Sequence, residues 1–238
     1  MLAAQRAKRG VRVHAVSSGG PADPVEILRA HVARLTGDEE AAGRFRVSSG
    51  VAGRTVRIGR GDVLLAASWW CAERAAEIAK ATDRKRFVYL IQNADALVHE
   101  TGMRRVLAIG TFAHDFLPVI GERLLADFLF ENAPGRFADE AFRRQALVFE
   151  PAVDRSRFHP AGAVTTPAGK RRILFFSPSS APRHLFDTGI EALRDLARRG
   201  TIDEEHWEVQ LLGDPLPPID LGGGIFVVLG TRCARCPR

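Results

Sequence analysis

The chain has 238 residues, 46% of them hydrophobic, and a formal net charge of +6. That apolar content is enough to bury a core, which excludes a chain that is disordered throughout. No apolar run reaches the roughly 18 residues of a membrane-spanning helix, and three cysteines make no disulfide framework.

In chain order, residues 11–16 read as the first strand. Asp23-Pro24-Val25-Glu26 is a helix start, with a cap, a proline at the first position and an acid three residues after the cap. Val25, Leu28, Val32 and Leu35 then form an apolar stripe at helical spacing. Residues 36–53 are polar and Gly-containing, and are expected to be loop with short pieces. The run DVLLAA at 62–67 is expected to be a strand covered on both faces. A helix follows, lined by Cys71, Ala75, Ile78 and Ala79, with Cys71 as a small core residue. Residues 87–91 (FVYLI) are a second buried strand and 105–109 (RVLAI) a third. Thr111 caps the next expected helix, with Phe112, Phe116, Val119, Leu124 and Phe128 on one side. Residues 146–149 make a short final strand.

Residues 151–170 carry three prolines and no helical periodicity, as an interdomain linker would. A strand, loop, helix and strand follow from 171 to 212. In that helix Phe186, Ile190, Leu193 and Ala197 share a face, and Gly200 is the stop. The alternation of strands and helices predicts an α/β protein with parallel, doubly wound sheets. The expected domains are 1–150, a linker at 151–170, and 171–238.

Ligands of such sheets bind beyond the carboxyl ends of the strands. That rule selects 68–70, 92–95, 110–111 and 177–184. The last segment joins a strand to a helix, where free N–H groups suit phosphate. Ser177, Ser179 and Ser180 can donate hydrogen bonds, His184 closes the segment, and the Arg183 guanidinium can hold two phosphate oxygens. Spacing alone leaves two readings open, a phosphate cradle or a surface loop with a solvated Arg. No dinucleotide fingerprint or P-loop is present. Trp69 and Trp70 either pack in the core, which spacing favours for both, or present a ring for stacking on a sugar. Gln92, Asn93 and Asp95 can hydrogen-bond sugar hydroxyls, with Asp95 as a base, or serve only as a turn. His99 beside Glu100 reads as a surface pair. His114 and Asp115, adjacent in the expected helix, do not share a face and receive no role. Cys233 and Cys236 offer two zinc ligands with no second pair, so no metal is expected.

Three segments, DVLLAASWWCAERA (62–75), RFVYLIQNADALVHETG (86–102) and RRILFFSPSSAPRHLFDTGIEAL (171–193), together with the continuation from WEVQLLGD to PPIDLGGG (207–224), resemble the GT-B glycosyltransferases. The resemblance is in particular to the bacterial rhamnosyltransferase-like branch that builds surface glycans. The resemblance implies a GT-B-like α/β fold of two Rossmann-like domains facing a cleft. It implies transfer of a sugar, rhamnose or another hexose, from a nucleoside-diphosphate sugar to a glycan hydroxyl in surface polysaccharide synthesis. The alternative is a non-catalytic nucleotide- or sugar-binding protein derived from such an enzyme.

By the same resemblance Ser177, Ser179, Ser180, Arg183 and His184 fall on the donor side. Trp69, Trp70, Gln92, Asn93 and Asp95 fall on the acceptor side. The partners implied are a nucleotide-sugar donor and a glycan or lipid-linked glycan acceptor, with no separate cofactor. Members of the family continue well past the IDLGGG-like segment and open with a strand and Gly-rich loop. The second domain, and the start of the first, are therefore expected to be incomplete. A cytoplasmic location is expected from the cysteine content and the lack of a signal-peptide pattern. Peripheral contact with an anionic membrane face is compatible with the positive charge. Nucleic acid is not an expected partner, because no recognition motif accompanies that charge.

Overall fold

The computed structural model describes residues 7, 9–17, 25–49, 57–84, 86–95, 99, 102–153, 155, 169–176, 178–180 and 184–229. The chain divides into two compact units, Met1–Asn93 with Ala108–Phe149, and Ala94–Leu107 with Glu150–Arg238. Most of the expected linker, and Cys233 and Cys236, lie outside the described residues.

The first unit opens with β1 (Val13–Ser17), α1 (Val25–Thr36), α2 (Glu39–Gly43) and β2 (Phe45–Ser49). β1 and β2 pair in parallel, with Val13 opposite Phe45. Ala7, Val32, Ala41, Ala42 and Phe45 form their core, and Leu28 packs against it, as the stripe on α1 requires. Asp38 caps α2 by accepting the Ala41 N–H at 2.9 Å. The segment expected as loop with short pieces therefore holds a short helix and a strand. Its alanines and single Phe give too weak a periodic signal to read alone.

The larger sheet contains β3 (Leu65–Ala66), β4 (Phe87–Ile91), β5 (Phe116–Ile120) and β6 (Leu147–Val148), in that order. All neighbours are parallel. Helix α3 (Trp69–Ala81) follows β3, and α4 (Met103–Gly110) lies between β4 and β5. After β5 come α5 (Arg123–Asn132) and α6 (Glu140–Arg143). Phe87, Tyr89, Phe112, Phe116, Phe137 and Phe142 are buried in one core. Phe116 and Phe142 meet edge to face, with centroids 5.1 Å apart at 89°. Gly135 (φ +57) lies where a Cβ would come within 2.4 Å of the Phe112 carbonyl oxygen, so no side chain fits there.

Three expectations change here. Residues 105–109 are helical, because 103–110 combines Met, two Arg, Leu and Ala, all good helix formers, and a short apolar run carries no decisive period. The helix expected after Thr111 is a 3₁₀ turn (Thr111–Ala113) followed by the central strand β5. Pro118 argues against a central strand by sequence. It is tolerated because the Ile120 carbonyl accepts from Phe149 on the β6 side, which puts the missing N–H of Pro118 on that same side. Pairing with β6 begins only at Val119. Finally, 62–67 is not buried on both faces. β3 is an edge of two paired residues, with Val63 75% and Leu65 51% exposed.

The second unit is built on β7 (Arg171–Phe176), α7 (Phe186–Arg198), β8 (Trp207–Leu212), β9 (Ile219–Gly222) and β10 (Ile225–Leu229). The sheet order is β7-β8-β10-β9, parallel except for β9 against β10. Ile190 and Leu193 of α7 are buried with Val209, Leu211, Leu221, Ile225 and Val227. The helix sits close: a Cβ on Gly189 would lie 2.3 Å from Cζ of Phe175. Gly223 (φ +62) and Gly224 (φ +80) supply the two positive φ angles of a type I′ hairpin between β9 and β10.

Candidate functional site

Parallel pairing brings the carboxyl ends of β3 to β6 to one edge of the first unit's sheet. Ser68-Trp69-Trp70 follows β3, Gln92-Asn93 follows β4, and Gly121-Glu122 follows β5. The expected strand end at 110–111 is not one. Thr111 is fully buried, and its hydroxyl donates to the Ala108 carbonyl at 2.7 Å. Gly121 takes its place as the strand end. A Cβ there would be 3.5 Å from the Ile91 carbonyl oxygen and 3.6 Å from the Phe149 ring.

Neither tryptophan is a full core residue. Trp69 is half-buried and Trp70 is 48% exposed, and their rings meet edge to face at 5.6 Å. Starting α3 at the carboxyl edge leaves the Trp70 ring open to stack on a ligand face. Gln92 and Asn93 are exposed. Asp95 is half-buried and falls within Ala94–Leu107, the segment grouped with the second unit. His99 is half-buried, and Glu100 lies outside the described residues.

The structure adds a pair that the sequence did not suggest. His114 Nε2 lies 3.1 Å from Glu73 Oε2, with the two side chains 32% and 35% exposed. Glu73 is one turn along α3 from Trp69 and Trp70, and helical side chains lean toward the N-terminus. A carboxylate holding one imidazole nitrogen is an arrangement that can accept and pass a proton. The only sequence hint was a His with no assigned role.

In the second unit, β7 leads into Pro178-Ser179-Ser180. His184 follows, its ring 5.4 Å from that of Phe176 at 84°. Ser177 and Arg183 lie outside the described residues. Leu185 precedes α7 in the left-handed region (φ 52, ψ 45) and gives the helix no side-chain cap. Ser179 and Ser180 are exposed, but their donors are taken by a neighbouring carboxylate. The Ser180 N–H donates to Asp214 Oδ2 at 2.8 Å, and the Ser179 hydroxyl donates to the same oxygen at 3.0 Å. The Ser180 N–H, then the Ser180 and Ser179 hydroxyls, hold the Asp214 carboxyl below its ordinary range. Asp214 was open to discovery by the strand-end rule, since Gly213-Asp214 directly follows β8, the neighbour of β7. Among the described residues no cluster of His, Cys, Asp or Glu could hold a metal ion, and no helix is long and apolar enough to cross a membrane.

Residues 171–233 match the family described as WsaF, C-terminal domain. This is a glycosyltransferase-associated domain, and the match begins with β7 and runs past β10. It suggests a glycosyltransferase-related function for the matched segment. No curated protein is significantly similar to the chain.

Proposed function

We propose that the chain is a glycosyltransferase of the GT-B type that takes its sugar from a nucleoside diphosphate and passes it to a glycan hydroxyl. One observation carries this reading: the match at 171–233 coincides with a strand–loop–helix–strand unit whose loop already grips an anionic oxygen. In this proposal the second unit takes the donor. The Ser180 N–H and the hydroxyls of Ser177, Ser179 and Ser180 bind the diphosphate, with Arg183 and His184 countering its charge. The bond from the anomeric carbon to the diphosphate oxygen breaks through an oxocarbenium-like transition state as the acceptor oxygen bonds to that carbon. The acceptor's proton goes to a base. Asp95 is one proposed base, and the Glu73–His114 pair is the second that the geometry offers. Trp70 stacks on the acceptor while Gln92 and Asn93 hydrogen-bond its hydroxyls. Rhamnose as the donor sugar, and a lipid-linked glycan as acceptor, belong to the same proposal.

Helix α4 supports contact with an anionic lipid surface. Met103, Val106, Leu107 and Ile109 are 72%, 65%, 41% and 42% exposed, beside Arg104 and Arg105.

The test is a thermal-shift and titration screen with nucleoside diphosphates. A bound diphosphate at a hundred times its Kd stabilises by about 2.7 kcal/mol, and Arg183→Ala is expected to weaken it at least about tenfold. No stabilisation by any nucleoside diphosphate, with a salt-sensitive shift by RNA or DNA, would sink the proposal. Binding without sugar transfer would leave the non-catalytic nucleotide-binding protein in its place.

A further inference from the structure

We infer that Asp214 is a built-in occupant of the anion seat in the loop after β7, and that a diphosphate oxygen binds there by displacing it. The inference rests on the reading that this loop takes a diphosphate, and adds how the seat is gated. Its basis is that one atom, Asp214 Oδ2, takes both the Ser180 N–H at 2.8 Å and the Ser179 hydroxyl at 3.0 Å. An amide carries one hydrogen and a serine hydroxyl one, so neither donor can serve a second oxygen fully while Asp214 stays in place. A carboxylate oxygen and a phosphate oxygen make the same demand on such donors: short, charge-assisted bonds from N–H and O–H.

The contact is not a local turn. It joins residues 34 apart in sequence, tying the loop that leaves β7 to the residue just past the end of β8. Those strands are parallel neighbours, with Phe176 opposite Leu212, so both carboxyl ends arrive at the same place. The carboxyl is held below its ordinary range by the same donors, so it is ionised throughout the neutral range. An incoming diphosphate therefore meets a like charge as well as occupied donors. Only a ligand that brings further contacts, such as a nucleoside, outcompetes the carboxylate. The seat is thereby biased against inorganic phosphate.

The experiment follows the Ser180 amide resonance by NMR in the whole chain. Inorganic pyrophosphate and the common nucleoside diphosphates are titrated into wild type, Asp214→Asn and Asp214→Ala. Asp214→Asn keeps an oxygen acceptor and removes only the charge, so it guards against an Asp214→Ala variant that fails to fold. Both variants are expected to bind about tenfold tighter, the size of losing one like charge a few ångströms away. The Ser180 amide is expected to shift on binding in all three proteins. Equal or weaker affinity in Asp214→Asn, while wild type binds, would overturn the inference and make Asp214 a brace of the loop. A Ser180 amide unmoved by bound ligand would overturn it too. If pyrophosphate binds tighter to the variants and no nucleoside diphosphate binds any of them, the seat stands and the glycosyl-donor reading falls. If neither class of ligand binds any of the three, both fall.

Discussion

The two units cover their sheets in different ways. The first packs Phe87, Tyr89, Phe112, Phe116, Phe137 and Phe142 into one mutually contacting aromatic core. The core of the second is mostly aliphatic, with α7 packed on one face of its sheet. Its other face carries Leu174, Phe176 and Phe226, 56%, 62% and 51% exposed. Hydrogen bonding to carboxylates also differs. Asp203, Glu208 and Asp214, all in the second unit, are carboxyls held below their ordinary range. The first unit is thus distinguished by its aromatic core, and the second by carboxylates that accept hydrogen bonds at its strand ends and turns.

The largest expected effect is on the aromatic core. Phe116 is completely buried, and Phe116→Ala is expected to cost about 3–5 kcal/mol in urea unfolding. A cost below about 1 kcal/mol would break the contrast. Next is Gly189→Ala, whose Cβ would lie 2.3 Å from the Phe175 ring. It should push α7 off β7 at about 1–3 kcal/mol. Recovery in the Gly189→Ala, Phe175→Leu double variant would locate the effect in that contact.

Acid should separate the units further. The Arg172 guanidinium, then the Gln210 amide, lower Glu208; the His206 N–H leads in lowering Asp203; and the Ser180 N–H leads in lowering Asp214. A carboxyl whose folded pKa is depressed stabilises the fold above its unfolded value of about 4 and loses that contribution as pH falls through the folded value. Amide exchange of β8 should therefore lose protection below about pH 4 before that of β4 does, and Glu208→Gln should flatten the dependence. Coincident loss in both strands would refute the separation. The smallest expected effect is about a tenfold loss of binding to anionic vesicles in Val106→Asp, about what one buried apolar side chain supplies. Equal binding of wild type to neutral and anionic vesicles would remove the lipid contact from the proposal.

How much of this the sequence shows depends on how local each signal is. The unit from β7 to β8 is readable because its strand, helix stripe and Gly200 stop are each complete within a few residues. β4 is readable because FVYLI is short, apolar and rich in β-formers. Residues 103–120 invert the expectation, helix for strand and strand for helix. There a short apolar run has no decisive period, and Pro118 hides the central strand. Trp69 and Trp70 could be placed at the start of a helix, but not given a degree of burial.

The sequence by itself determined that strands alternate with helices along much of the chain, that those strands pair in parallel, and where the loop after β7 begins, but not the antiparallel β9–β10 hairpin. Those properties follow from apolar spacing and turn residues over short windows. Only the tertiary structure decided that β3 is an edge, that Pro118 faces a side where no ladder bond is lost, and that Glu73 meets His114. It also decided that Asp214 fills the donors of Ser179 and Ser180. The last two contacts join residues 41 and 34 apart. No local pattern encodes such contacts, because they exist only once parallel pairing and the helical crossovers have brought distant segments together.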